Sequence, residues 1–488
     1  MEETKMKVLR IIAAILVSTL LFTGMIGCAA DKPLEDDVPQ EPSAEDGTDS
    51  DTEGDVKPTV GLPEKNFGGE EFTILSRTDK NYEFDVELNG SNVNDAIYYR
   101  DCDIEEQYGV NITSYQVDGN WSNRQVFMDA IRNDASTGDN YIDMIAGYCA
   151  YMPTIVLDGY CKNLYELPLL NFDNAWWYDG FNKNMSINNK LYMAVGDASL
   201  TMWENLQVVF FNKDMLKNYN LEYPYGMVTD GTWDFAALQE YCAYHTLDVD
   251  DNGTMDAFDN WGMLLYNKRD FMVYFENPYT SVDEEGKPYI SVYNDRLVDI
   301  YDDIFDFMYE DKPGFQFKPD ELTPMFREGH AMFVQAPLRY TEKFRSNESA
   351  FGIVPFPKYD ASQEQYHTPV VDDLSVFCVP LSVANEELTA YMMEVLNFKS
   401  SQTVISEFIE VSITGKGFRD SESGEMLKLV RDTIWFEFGF VYSQNCGALG
   451  NILDCLNSPS NEITSYYKKN EIAYQSGLDA LIEFYYEE

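Results

Sequence analysis

Basic residues are scarce in this chain. It has 34 lysines and arginines against 84 aspartates and glutamates, a formal charge of −50 over 488 residues. That balance argues against nucleic acid and anionic membrane surfaces as partners, since both need a basic face. Histidine is scarcer still, with His245, His330 and His367 as its only copies. None sits in an HExxH pattern, and no GxSxG elbow occurs, so the metalloprotease and serine-hydrolase signatures are missing. Gly415-Lys416-Gly417 is an isolated GxG without the strand–helix setting of a nucleotide site. No CxxC spacing occurs among Cys102, Cys149, Cys161, Cys242, Cys378, Cys446 and Cys455. Most of these read as buried, reduced thiols, with Cys446 and Cys455 left open as a pair. Solenoid-type repeats are also absent. Carboxylate pairs for glycoside hydrolysis carry no signal in a chain so rich in acids.

One apolar run is present, Ile11 to Phe22, preceded by Lys5, Lys7 and Arg10. A basic start and a greasy stretch too short for an ordinary span mark a secretory signal. Met25-Ile26-Gly27-Cys28 resembles a bacterial lipobox, with Met25 in place of the usual leucine. Residues 1–27 are therefore expected to be a signal peptide and Cys28 the lipidated N-terminus. Each buried methylene adds about 0.8 kcal/mol, so several acyl chains make a durable membrane anchor. Residues 28–66 are Asp, Glu, Pro, Gly, Ser and Thr with few apolar side chains, a composition that cannot offset ordering entropy and reads as an acidic tether.

Beyond the tether, strand and helix alternate. Glu71 to Ser76, Val110 to Tyr115 and Tyr141 to Ala146 are predicted strands, separated by helices starting near Asn92 and covering 125–132. This order implies an α/β fold with mostly parallel sheets flanked by helices. Gln207 to Phe211, Trp261 to Tyr266, Met332 to Gln335, Phe351 to Val354 and Leu374 to Val379 are further strands. A helix over 235–245 is placed with Thr232 near its cap. The C-terminus reads as helices over 386–397, 421–431 and 463–486.

The sharpest local motif runs from Asp248 to Asp259. Hard cations want several oxygens on one tight curve. Side chains of Asp248, Asp250, Asn252 and Asp256 fall at loop positions one, three, five and nine, with the Thr254 carbonyl at seven and Gly253 at the turn. Position twelve is Asp259 rather than the longer glutamate. The spacing predicts a structural Ca²⁺ site that stiffens a loop and does no chemistry.

The stretch Asn189 to Leu216, NKLYMAVGDASLTMWENLQVVFFNKDML, resembles the lobe-crossing region of extracellular solute-binding proteins of ABC importers, the group containing maltose-binding protein. Further resemblances follow in family order: Gly231-Thr232-Trp233-Asp234, the acidic loop ending in Trp261-Gly262, Phe326 to Phe333, Phe351 to Asp360, and Lys416 to Ser423 with Arg419 and Asp420. The last two resemble patterns common in lipoproteins of this group from Firmicutes. The resemblance covers residues 67–488.

The resemblance implies a two-lobed, type II periplasmic-binding-protein-like fold that closes over a ligand. Lobe one is placed at 67–198 plus 327–360, and lobe two at 202–322 plus 372–488. Hinges are expected near 196–201, at Pro324 and at 368–371. The implied protein is a monomer on the extracellular face of the membrane that binds an oligosaccharide, serves ABC permease subunits and catalyses nothing. A peptide or other polar ligand, a sensing or adhesive role, and a surface glycosidase stay open beside it.

Sugars present apolar C–H faces and a rim of hydroxyls, and they are met by aromatic platforms and planar polar groups. Trp176 and Trp177 lie in the polar stretch 171–184 and are candidates for ligand stacking. Trp203 and Glu204 follow the crossing strand. Trp435, among Ile434, Phe436 and Phe438, reads first as core and second as cleft. Strand ends nominate Arg77, Tyr148 and Asp373. Trp233 and Trp261 read as structural.

Overall fold

The computed structural model describes residues 59–345, 349–415, 418, 420–459 and 462–487. The expected signal segment, the expected lipidation site Cys28, most of the expected acidic tether, and Arg419 lie outside the described residues. Eleven strands are described in chain order: β1 (Glu70–Arg77), β2 (Val110–Val117), β3 (Met144–Tyr148), β4 (Gln207–Asn212), β5 (Trp261–Leu265), β6 (Thr280–Val282), β7 (Pro288–Ile290), β8 (Gly314–Gln316), β9 (Ala331–Pro337), β10 (Phe351–Val354) and β11 (Ser375–Cys378). Among the described residues no helix is long and apolar enough to cross a membrane.

One sheet has the order β11-β3-β1-β2, with β1 parallel to both neighbours and β11 antiparallel to β3. The other has the order β10-β4-β9-β5-β8. Its β9, β5 and β8 run parallel, while β4 is antiparallel to both β9 and β10. The expected mostly parallel sheets are thus mixed. Strands β4, β5 and β9 are buried along their whole length, which explains their unbroken apolar runs. Helix Asn92–Tyr108 covers the first sheet and ends at Gly109, whose φ of 60° suits a residue without a side chain. Helix Phe235–Ala243 is capped by Asp234, not Thr232: the Asp234 carboxylate accepts from the Ala237 N–H at 2.9 Å.

The lobe boundaries differ from the expected ones. Strands β9 and β10 pair with β4 and β5, so residues 327–360 belong to the second lobe rather than the first. Strand β11 pairs with β3, which returns 375–378 to the first lobe. Helix Glu386–Gln402 follows it there, with Ser400 Oγ accepting from Arg100 Nη1 at 3.1 Å. Helix Ser421–Asp432 packs on the second lobe, where Ser423 Oγ accepts from the Ile353 N–H at 3.3 Å. A buried apolar strand looks the same whichever sheet receives it, so periodicity could not assign these pieces.

The lobes are joined where Gln207 N–H donates to the Pro369 carbonyl at 3.1 Å and Val371 N–H donates to the Asn205 carbonyl at 3.0 Å. A third strand of backbone joins them: Trp435 N–H donates to Thr368 at 2.9 Å and Thr368 N–H to Thr433 at 2.8 Å. The crossing near 368–371 is thus where the sequence placed it. Pro324 is no hinge, because it lies inside helix Pro319–Glu328 between two strands of one sheet. Cys446 is a buried thiol, so the pairing left open with Cys455 is not made.

Candidate functional site

Parallel neighbours deliver their C-terminal ends to one edge of a sheet, and that edge is where open α/β sheets place ligands. β1 ends at Arg77 and β3 at Tyr148 on the first lobe. On the second, Tyr266 to Arg269 follow β5, Gln316 ends β8, and Arg339 follows β9. The crossing residues Asp372 and Asp373 lie between. A cavity of about 470 Å³ is lined by Tyr148, Tyr266, Lys268, Arg269, Asp373 and Asn457 among others. A neighbouring cavity of about 420 Å³ shares Tyr148, Arg269, Asp372 and Phe440 with it and adds Trp121.

Charge in this cleft is dense and networked. The buried Arg77 guanidinium pairs with Asp79 at 2.8 Å and donates to the Asp373 carbonyl at 2.9 Å. The Asp373 carboxylate faces Lys80 at 3.5 Å and Arg339 at 3.8 Å, and accepts from Asn205 Nδ2. One carboxylate thereby touches the first lobe, the crossing and the second lobe. Asp372 stands 3.5 Å from the Tyr148 hydroxyl; burial, then the neighbouring Asp373 charge, pushes its carboxyl up to about 6. Arg269 grips Asp454 with two N–H groups at 3.0 and 2.7 Å. Trp121 is 41% exposed, large and apolar, with the Arg124 guanidinium 4.6 Å from its ring centre and the Tyr148 ring 6.2 Å away. An exposed indole at a cavity edge is a ready stacking platform.

Of the residues nominated by sequence, the structure brings Arg77, Tyr148 and Asp373 to this cleft. Glu204 lines an adjoining cavity of about 330 Å³ with Tyr82 and Arg339, and accepts from the Tyr82 hydroxyl at 2.5 Å. Burial pushes the Glu204 carboxyl up to about 7.

The tryptophans go elsewhere. Trp176 and Trp177 donate their indole N–H groups to Glu394 at 2.6 and 2.9 Å, Trp177 is only 3% exposed, and Trp176 packs edge-on against Phe398 at 5.1 Å. They are structural anchors rather than stacking platforms. Trp177 and Trp203 line another cavity, of about 580 Å³, with Asp197 and Arg431. No strand of either sheet ends there, so its size does not make it the ligand site. Trp435 is half-buried, packs against His367 with the rings tilted and their centres 4.6 Å apart, and lies among residues apart from the strand ends.

Trp121, Tyr266, Lys268, Arg269, Arg339, Asp372 and Asp454 were not read from sequence. The rule that nominated Arg77 and Tyr148, the end of a buried strand, would also have found Tyr266 at the end of the expected strand Trp261 to Tyr266. Nothing local signals Trp121 or Asp454.

In the acidic loop, carboxylate oxygens of Asp248, Asp250 and Asp259 converge within 4.8 Å of one another. The other nominated ligands turn to the loop itself. Asn252 Oδ1 accepts from the Thr254 N–H at 2.7 Å, and Asp256 Oδ1 from the Phe258 N–H at 2.8 Å. Asp248 also accepts from the Gly253 N–H at 2.7 Å, which holds its carboxyl below the usual range. Three hard oxygens on one curve fit Ca²⁺, with waters to complete the shell.

No family model matches the chain, and no curated protein matches its sequence. Solved structures do match its fold. An extracellular solute-binding protein from Staphylococcus aureus in complex with maltose superposes at a TM-score of 0.57 with 13% identity, covering 84% of this chain and 98% of its own. An ABC substrate-binding protein from Listeria monocytogenes in complex with cycloalternan reaches 0.54 at 12% identity, covering 84% and 99%. The GacH receptor of Streptomyces glaucescens, solved unliganded and with acarbose, reaches 0.51 at 15% identity, covering 83% and 99%. The chain has the two-lobed fold of these solute-binding proteins.

Proposed function

We propose that this protein captures an oligosaccharide between its two lobes, without altering it, for delivery to an ABC importer. The observation that carries the reading is the cleft at the strand ends of both sheets, where the exposed Trp121 indole and the Tyr148 ring stand beside fixed carboxylates and guanidinium groups. Rings meet the C–H faces of a sugar, and Asp372, Asp373 and Arg269 meet its hydroxyls. The bound proteins that share this fold carry maltose, cycloalternan or acarbose. Ligand contacts on both lobes favour the shut form, a population shift about the crossings at 205–207 and 369–371. A micromolar Kd corresponds to about −8 kcal/mol, within reach of a few stacked rings and buried hydrogen bonds.

The finer parts of the reading rest on sequence. Cys28 anchors the chain by its lipids on the extracellular face of the membrane, the acidic tether holds the lobes clear of it, and permease subunits receive the closed complex. Ca²⁺ in the Asp248–Asp250–Asp259 cluster stiffens the loop before β5.

The test is a thermal-shift and calorimetry screen of the purified protein against glycans. A true ligand at a hundred times its Kd adds about 2.7 kcal/mol of stability. The ligand recovered afterwards is expected unchanged. Release of reducing sugar that stops on Asp372→Asn would instead make the protein a glycosidase.

A further inference from the structure

Lys268 and Arg269 line the strand-end cavity, Arg339 reaches Tyr266 of that cavity from the one it lines with Glu204, and Arg77 and Lys80 stand behind Asp79 and Asp373, in a chain whose formal charge is −50. The carboxylates that meet them are Asp79, Asp373 and Asp454, with Asp372 beside them and Glu204, protonated more readily than usual because it is buried, in the cavity that Arg339 lines. Asp79 is taken by Arg77, Asp454 is gripped by Arg269, and Asp373 is shared by Lys80, Arg339 and Asn205. Asp372 faces the Tyr148 hydroxyl.

That leaves Lys268 without a carboxylate. Its side chain is 5% exposed. Its ammonium donates to Asn457 Oδ1 at 2.7 Å and Gln316 Oε1 at 3.4 Å, two neutral amides that line the same cavity. No ion pair of Lys268 occurs within 4 Å among the described residues. Arg339 adds a second donor in want of an acceptor. Its Nη2 donates to the Tyr266 hydroxyl at 3.1 Å, but its Nη1 is buried, finds no hydrogen-bond acceptor, and lies 3.8 Å from Asp373. A cation taken out of water needs a counter-charge or a full set of acceptors. Burial also holds the Lys268 amine below its ordinary range, the mark of a charge not yet compensated.

Resting on the capture reading above, we infer that the guest is an anionic oligosaccharide, whose negative group is received on the second-lobe wall by Lys268 and Arg339. A uronate carboxylate and a sulfate ester offer the same chemistry to these two side chains. The rings of Trp121 and Tyr148 line the cleft from the first lobe and meet sugar faces there, as the capture reading requires. The alternative role for Lys268 is a latch tying the end of β8 to Asn457, which would make no distinction between charged and neutral guests.

The experiment is calorimetry of the purified protein with matched pairs: an oligouronide and its carboxyl-reduced neutral counterpart, and a sulfated oligosaccharide with its desulfated form. At least one anionic member is expected to bind roughly tenfold or more tighter than its neutral twin, with an advantage that shrinks as salt rises. Preference for the uronide or for the sulfated member identifies the source of the charge. Lys268→Met is expected to erase most of that ratio, and Arg339→Gln reads the same wall should the first variant fold poorly. Equal affinity within each pair, or a ratio unmoved by either variant, overturns the inference while leaving sugar capture intact. Binding of no saccharide of either kind overturns the capture reading as well.

Discussion

The Arg77 guanidinium lies 4.4 Å from the centre of the Tyr148 ring, so the ends of β1 and β3 are tied by a cation resting on an aromatic face. The contact fixes the orientation of the ring at the floor of the cleft. Tyr148→Ala is therefore expected to weaken ligand binding by roughly 10- to 100-fold, in line with about 1–3 kcal/mol for a lost stacking surface. Tyr148→Phe, which keeps the ring, is expected to retain most of the affinity. Calorimetry on the two variants separates ring from hydroxyl, and equal losses would remove the ring from the site.

Glu394 gathers a different set. Its carboxylate accepts from the Asn171 N–H at 2.6 Å, Asn174 Nδ2 at 3.2 Å and both indole N–H groups of Trp176 and Trp177. Glu394→Leu strands four donors and is expected to cost about 2–4 kcal/mol of stability. Ligand affinity of the folded fraction is expected to stay within twofold, roughly the limit of the measurement. Denaturant unfolding and calorimetry on the same preparation check both halves.

This pair of sites shows how far the sequence could be read. Strand and helix positions were legible because buried strands are apolar runs and helices carry their own caps: β10 falls where its FGIV run places it, and helix Ile463–Tyr486 has its expected span. Two adjacent tryptophans in a polar stretch looked exposed because their partner, Glu394, lies more than 200 residues away. Separation along the chain also hid the sheet membership of β11, whose partner β3 lies more than 200 residues before it, and of β9, whose partners lie nearer but still beyond any local signal. Cleft residues were legible only where a strand end announces them, as at Arg77 and Tyr148. Lys268 and Arg269 look like an ordinary basic pair until β5 sets them against Asp454 and Asn457.

Several buried acids set the pH response. Burial pushes the carboxyls of Glu204, Asp197 and Glu437 up to about 7 and that of Asp270 up to about 8. The folded protein thus holds protons that the unfolded chain, with carboxyls near 4, releases. This stabilisation is fully present at low pH and is lost as pH rises through 7 to 8. His245 and His367 oppose it below about 6.5, because burial lowers both and the unfolded chain then takes the proton. The melting temperature is therefore expected to rise as pH is lowered from about 8 to about 6.5. Asp270→Asn, whose amide keeps the shape beside Gln335 and Asn267, is expected to flatten the upper part of that slope. Calorimetric scans across the window decide it, and a flat or inverted profile would contradict the assignment.

The acidic loop supplies the last prediction. Asp259 is buried, accepts from the Val249 N–H at 2.9 Å and the Asp256 N–H at 2.7 Å, and brings its carboxylate against those of Asp248 and Asp250. Three carboxylates so close repel one another, and a divalent cation reverses the sign of that interaction. The loop leads directly into β5 at Trp261, whose indole N–H donates to the Asp256 carbonyl at 2.7 Å, so its order is passed to the strand that ends at the cleft. Ca²⁺ at a hundred times its Kd is expected to add about 2.7 kcal/mol, and chelator to remove it. Asp250→Asn is expected to abolish the response while leaving the metal-free melting curve unchanged or higher, since it relieves repulsion. Identical melting curves with calcium and with chelator would leave the cluster as a turn held by its own backbone bonds.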